Sequence, residues 1–299
     1  MTDIAIQPTA SQRRLGLFLV ITAGILWSTG AAIARAVDTE PWSTIFWRAV
    51  FACLFLCAFV AIRNRGRFLS VFLAMGLPGV VMGLAFATAS SSFVIALEYT
   101  SAAHVLFLLG VAPFIAAFLG RIFLGERIPN RTWIAMVLAL IGVGIMVSDA
   151  IGRGNIVGDL LGLLTASCFA VGTVIMRRYR QIEMTAATAL AAAFGAIFAL
   201  TQGVEFDPSL RDIGLLALFG VVQLGLGLAL FTIGARHIIA AEAVLCSLLE
   251  LALGPIWVWI IHGEALGTVA IIGGTIIIFA MVMNTVLDRN QPSPLPPAA

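Results

Sequence analysis

The sequence repeats itself without a gap. Ala102-Ala103, with Gly125-Glu126 after it, reappears as Ala240-Ala241 with Gly263-Glu264, both pairs displaced by 138 residues. If each copy holds an odd number of membrane spans, the two copies must thread a bilayer in opposite directions. Such a chain folds as two inverted halves packed against each other.

Composition places the chain in a membrane. Of 299 residues, 61% are hydrophobic and 11% charged, with a mean hydropathy of +1.07. Soluble domains are about 45–50% apolar and about 25% charged, so a water-soluble fold of this size could not cover its surface. A helix needs about 20 apolar residues to cross the hydrocarbon core. Apolar runs between charged or turn-forming breaks predict ten spans, near 15–36, 43–62, 69–96, 101–122, 131–148, 157–177, 184–203, 212–235, 239–261 and 266–287. The expected fold is an all-α integral membrane protein, with ten transmembrane helices as two inverted five-helix repeats. Its parts are a cytoplasmic N-terminal segment (1–14), repeats at 15–148 and 157–287, and a Pro-rich disordered cytoplasmic tail (288–299).

Charge sets the expected orientation. The chain has no Lys, and with a cytoplasmic N-terminus thirteen of its 17 arginines fall on the cytoplasmic side. Only Arg35, Arg153 and Arg211 fall outside, and Arg48 falls within a span. The positive-inside rule therefore predicts both termini in the cytoplasm, with the protein in the bacterial cytoplasmic (inner) membrane. The run from Leu15 to Ile33 exceeds the roughly 7–15 residues of a signal-peptide core and reads as a retained span. Cys53, Cys57, Cys168 and Cys246 all lie in apolar spans, with no disulfide or metal spacing.

Enzyme signatures are missing. There is no GxxxxGK[ST] phosphate loop, no HExxH, no GxSxG and no Cys/His cluster. No catalytic residue, metal or cofactor is expected, nor nucleic acid. The expected partners are a small-molecule substrate and the lipid bilayer, with the protein a monomer and a dimer left open.

The motif of Pro113, Leu124-Gly125-Glu126-Arg127 and an apolar span from Trp133 resembles the EamA-type repeat of the drug/metabolite transporter superfamily. Leu26-Trp27-Ser28, Phe46-Trp47-Arg48-Ala49 and Ala96-Leu97-Glu98-Tyr99-Thr100-Ser101-Ala102 are similar to three further motifs of that family. The resemblance covers roughly residues 15–287 and is nearest to bacterial aromatic amino acid exporters. It implies ten helices around a central cavity formed mainly by spans 1, 3, 4, 6, 8 and 9. The second half departs from the pattern. The Glu-Pro of the family's ninth span is here Glu250-Leu251, with proline displaced to Pro255, so the second kink is expected about one turn later.

Glu250 is the leading site candidate. It lies eleven residues into a span starting near 239, about 16 Å along the axis. A carboxylate there costs roughly 2.5–3.5 kcal/mol on insertion scales, so it should face a cavity or a partner. Ser247 shares its face. Trp27 is the one tryptophan expected near the midplane, to stack on substrate or fill packing. Trp42, Trp47, Trp133, Trp257 and Trp259 read as interfacial anchors. His104, Ser91, Gln223 and Tyr99 are further polar candidates for substrate binding. Arg48 is expected to snorkel to the outer interface or to pair with Glu98, in a gating or structural role. Pro78, Pro113 and Pro255 are expected to kink their spans. Asn284 reads as helix glue, and small residues Ala135, Ala139, Gly273 and Gly274 predict close contact between spans 5 and 10.

The function these features predict is export of small organic metabolites, most readily amino acids with aromatic or other apolar side chains, by alternating access. The alternatives are another metabolite or drug cation (a vitamin, an amine, a nucleotide sugar) and, with less support, a membrane-embedded enzyme. Few basic residues lie within the spans, which argues against a polyanionic cargo.

Overall fold

A computed structural model describes residues 9–148, 155–204 and 206–289. Arg153 and most of the Pro-rich tail lie outside them. Among the described residues there is no strand, nine helices are long and apolar enough to span a membrane, and one apolar helix is shorter. In chain order they are α1 (Ala10–Ala36), α2 (Pro41–Arg63), α3 (Gly76–Tyr99), α4 (Ala102–Leu124), α5 (Asn130–Val147), α6 (Ile156–Arg178), the short α7 (Thr185–Leu200), α8 (Leu210–Ala235), α9 (Ala240–His262) and α10 (Thr268–Arg289). The protein is thus a ten-helix integral membrane protein built as two inverted repeats.

The repeat is exact where α4 and α9 are compared. Both begin at the paired alanines and end 138 residues apart, at Leu124 and His262. Both are closed by a left-handed glycine, Gly125 at φ 65° and Gly263 at φ 71°, a conformation that a side chain would strain. Both are also broken mid-span, α4 at Gly110 between Leu109 and Ala112, and α9 at Leu248 between Ser247 and Leu249. These breaks again differ by 138.

That corrects the expected shift of the second kink. The break stays in register although the prolines do not. Pro113 sits in the first turn after the α4 break, where its missing N–H is one that no helical bond requires. Pro255 lies inside the second helical piece of α9, seven residues beyond the break, and does not cause it. Close packing of α1 accompanies the α9 break instead: a Cβ on Gly24 would lie 3.0 Å from the Cys246 carbonyl and 3.2 Å from Leu249 Cβ.

Pro78 also differs from expectation. The third span was expected from 69, but the chain forms a short helix at Phe68–Ala74, and Gly76 at φ 51° then opens α3. Pro78 therefore occupies the first turn of α3, where it ends no hydrogen bond and makes no kink.

Symmetry carries through the packing. α5 runs along α10, α2 along α7, α3 along α6, and α1 along α8. Ala135 and Ala139 are fully buried between α5 and its neighbours, and the closest approach is at Gly142 and Gly273. A Cβ on Gly142 would lie 2.8 Å from the Gly273 carbonyl oxygen. Gly273→Val is therefore expected to cost about 1–3 kcal/mol through overpacking. A thermal melt in detergent checks this, with Gly195→Ala as control, since nothing lies within 4 Å of a Cβ there.

Candidate functional site

Residues four apart on a helix share a face. On α8 that face carries Phe219, Gln223, Gly227 and Phe231, and each meets a different part of the bundle interior. The middle of this stretch, Phe219–Leu226, is wound as a π-helix, a geometry frequent at functional sites.

At the top of the ladder the Arg48 guanidinium of α2 lies 4.5 Å from the Phe219 ring centroid. One turn on, Gln223 Nε2 donates to the Trp27 carbonyl at 3.0 Å. That carbonyl lies at the break of α1, which divides at Thr29 into Ala10–Ser28 and Gly30–Ala36. Gly227 then leaves room for the Trp27 indole, which would collide with a Cβ there. At the bottom, Phe231 lies 5.2 Å from Trp27 and 5.6 Å from Phe169 of α6, which is 5.7 Å from Phe86 of α3. Four helices thus contribute one aromatic floor, twelve residues along α8 from Phe219.

The break in α1 is held from a second side. Trp257 Nε1 on α9 donates to Ser28 Oγ at 2.9 Å. Trp257 is therefore an interior residue and not the interfacial anchor its place in the span suggested. The Gln223 bond should matter, because a buried carbonyl without a partner costs about 1–3 kcal/mol. Gln223→Leu is expected to lower stability by that amount in a detergent melt, with Gln223→Glu less harmful only if protonated.

Glu250 lies ten residues into α9 and is nonetheless exposed. The charge that acts on it is Arg48, and Glu250 acts on Arg48 in return. Arg48 Nε has no hydrogen-bond partner among the described residues. Arg48 thus neither snorkels to the interface nor pairs with Glu98: it points inward, over Phe219 and toward Glu250. A cation and an anion thus act on each other inside the bundle without forming an ion pair among the described residues.

One end of the bundle is sealed. Glu242 of α9 is fully buried and accepts from Arg13 Nη2 at 2.5 Å, Thr132 Oγ1 at 3.4 Å and Asn284 Nδ2 at 3.4 Å, with Arg131 at 3.8 Å. It ties α1, α5 and α10 to α9. Glu126 accepts from Arg177 Nε at 2.9 Å and from the Ala240 N–H at 3.1 Å, which joins α6 and the start of α9 to the α4–α5 turn. Arg177 also donates to the Arg236 carbonyl, and Arg236 to the Arg180 carbonyl. Burial, with Arg236 beside it, holds His237 below its usual range, so its ring is neutral at pH 7. At the opposite end Arg35 and Glu264 form a pair whose side chains are each 52% exposed.

The remaining candidates lie elsewhere or serve packing. His104 Nδ1 bonds the Ser101 hydroxyl at 2.9 Å in the first turn of α4. Glu98 and Tyr99 are exposed at the end of α3. Ser91 is half-buried, while its neighbour Ser92 bonds Thr165 of α6 at 2.8 Å. Ser247 donates to the Val244 carbonyl beside the α9 break. Asn284 joins Thr132 and Glu242 as helix glue. Sequence reasoning missed Glu242, Phe169, Phe219, Phe231 and Trp257. The four-residue spacing on α8, and a second carboxylate eight residues before Glu250, were the signals available.

Comparison with known proteins agrees with this architecture. The family model for the EamA-like transporter family matches residues 14–148 and again 156–286. The chain is 26% identical to the pseudopaline exporter CntI of Pseudomonas aeruginosa over 274 residues, covering 89% of this chain and 94% of that one. It is 26% identical to an uncharacterized transporter of Archaeoglobus fulgidus, covering 90% and 96%. A protein of known crystal structure matches with a TM-score of 0.81 over 93% of this chain and all of that one, at 18% identity, which shows the fold alone. The chain is a multi-pass membrane protein that belongs to the EamA-like transporter family.

Proposed function

We propose that this transporter exports amino acids with aromatic or other apolar side chains by alternating access. The observation that carries the reading is Arg48, set over Phe219, and Glu250 acting on each other without an ion pair between them among the described residues, in a bundle whose interior also holds the aromatic cluster of Trp27, Phe169 and Phe231. An α-amino acid zwitterion carries the two complementary charges, its carboxylate for Arg48 and its ammonium for Glu250. Trp27, Phe219 and Phe231 are buried in this conformation, so its side chain would meet the aromatic cluster only as the bundle opens. A relative named as an exporter supports the direction of transport.

Arginine distribution supports the orientation. Arg13, Arg131, Arg177 and Arg236 gather at the sealed end, which is then the cytoplasmic one, with both termini there, in a bacterial inner membrane. The conformation is then closed to the cytoplasm, with Glu250 reached from outside. Export requires the Glu242 and Glu126 clusters to part while the Arg35–Glu264 end closes.

Binding to purified protein tests the substrate class. Phenylalanine is expected to bind at least about tenfold more tightly than phenethylamine or 3-phenylpropionate, since each lacks one charged group worth about 1.4 kcal/mol or more. Equal binding of all three, or no binding of any apolar amino acid, would refute the reading. Tight binding of phenethylamine alone would favour a drug or amine cation held by Glu250.

A further inference from the structure

The α2–α3 turn carries three arginines, Arg63, Arg65 and Arg67, within five residues. With Asn64, Ser70, Val71, Ala74 and Glu183 they line a cavity of about 630 Å³. One carboxylate faces three guanidinium groups there. Glu183 lies 3.5 Å from Arg63, and among the described residues Arg65 and Arg67 form no ion pair. The cavity therefore keeps an excess of two positive charges.

The backbone adds to the case. Arg65 is the one non-glycine residue at positive φ (52°) among the described residues, with Gly66 at 78° after it. Glycine at position 65 would relieve that strain, yet the turn presents an arginine to the cavity.

The surroundings say what kind of anion fits. Ile62, Leu69 and Leu73 flank the cavity and are 80%, 67% and 72% exposed. In a membrane protein, apolar side chains this bare at a helix end face acyl chains. A charged cavity opening beside them meets the headgroup layer.

We infer that the pocket formed by Arg63, Arg65 and Arg67 is a binding site for the phosphate headgroup of an anionic phospholipid. Arg65 and Arg67 supply forked donors for phosphate oxygens, Asn64 and Ser70 hold the turn by donating to the Val60 and Arg67 carbonyls, and the bare leucines receive the chains. The inference stands apart from the substrate site, since it uses none of its residues.

Lipid retention by the full-length protein tests it. Protein purified in detergent is exposed to phosphatidylglycerol or phosphatidylcholine, and bound lipid is counted by native mass spectrometry. The test variant is Arg65→Gly with Arg67→Gln, because glycine eases the turn and protects folding. Arg121→Gln with Arg127→Gln removes equal charge from exposed positions near the same end. Phosphatidylglycerol retention is expected to fall at least fivefold in the first variant and to stay within twofold in the second. Phosphatidylcholine is expected to bind weakly throughout. Equal losses in both variants, no loss in the first, or equal retention of the two lipids would overturn the assignment. Inorganic phosphate alone stabilising the wild type as strongly as phosphatidylglycerol would also overturn it, by making the site one for a free anion.

Discussion

Glu250→Gln is expected to weaken amino acid binding, and initial flux below saturation, by about thirtyfold or more. Truncating one partner of a desolvated charge contact typically costs about 2 kcal/mol or more, and 2 kcal/mol is about thirtyfold. Glutamine fills the same volume and leaves the α9 break untouched, so the loss reports charge and not packing. Arg48 is the charged group that acts on Glu250. A distinctive signature follows. The variant should bind 3-phenylpropionate, which has no ammonium group, as well as the wild type does. If Glu250→Gln leaves both affinity and the pH profile of flux unchanged, the carboxylate serves only the structure.

Glu242→Leu is expected to be the most destabilising single substitution of the sealed end, by about 3–5 kcal/mol. Removing one member of a buried ion cluster leaves the other charges in a low-dielectric site without compensation. Here Arg13 and Arg131 would lose a common, fully buried carboxylate. Arg35→Ala at the other end should cost only about 0–1 kcal/mol, because that pair is half exposed and screened. Comparing the two melting temperatures in one detergent checks the contrast. Similar shifts for both would mean that the Glu242 cluster is not the seal.

Much of the fold was legible because two signals are long-range and redundant. Apolar runs of span length locate helices whatever the packing, and the 138-residue displacement predicted two related halves, which α4 and α9 match in their starts, ends and turns. Where a single residue was asked to define local geometry, the prediction failed. Pro78 and Pro113 were read as mid-span kinks, but helix ends fall just before them, where proline is harmless. The break at Leu248 has no residue that announces it; Gly24 on another helix shares the contact.

The candidate site was legible in part, for a related reason. Glu250, Trp27 and Gln223 stand out as polar or bulky residues in apolar spans, and the structure places all three near the α1 and α9 breaks. Arg48 and Trp257 were read from distance to a span end, which says nothing about which side of the helix faces inward. Phenylalanines such as Phe169, Phe219 and Phe231 look like core or lipid-facing residues in any apolar span. Only their convergence across α1, α3, α6 and α8 gives them a role.

Counterflow in liposomes tests the central claim most directly. Vesicles holding the purified protein are loaded with unlabelled phenylalanine, and uptake of external labelled phenylalanine is followed with and without that load. A single central site that faces one side at a time predicts transient accumulation of intact label, saturable and absent from Glu250→Gln vesicles. Uptake that ignores the internal load, or label recovered as a chemically altered product, would contradict the account.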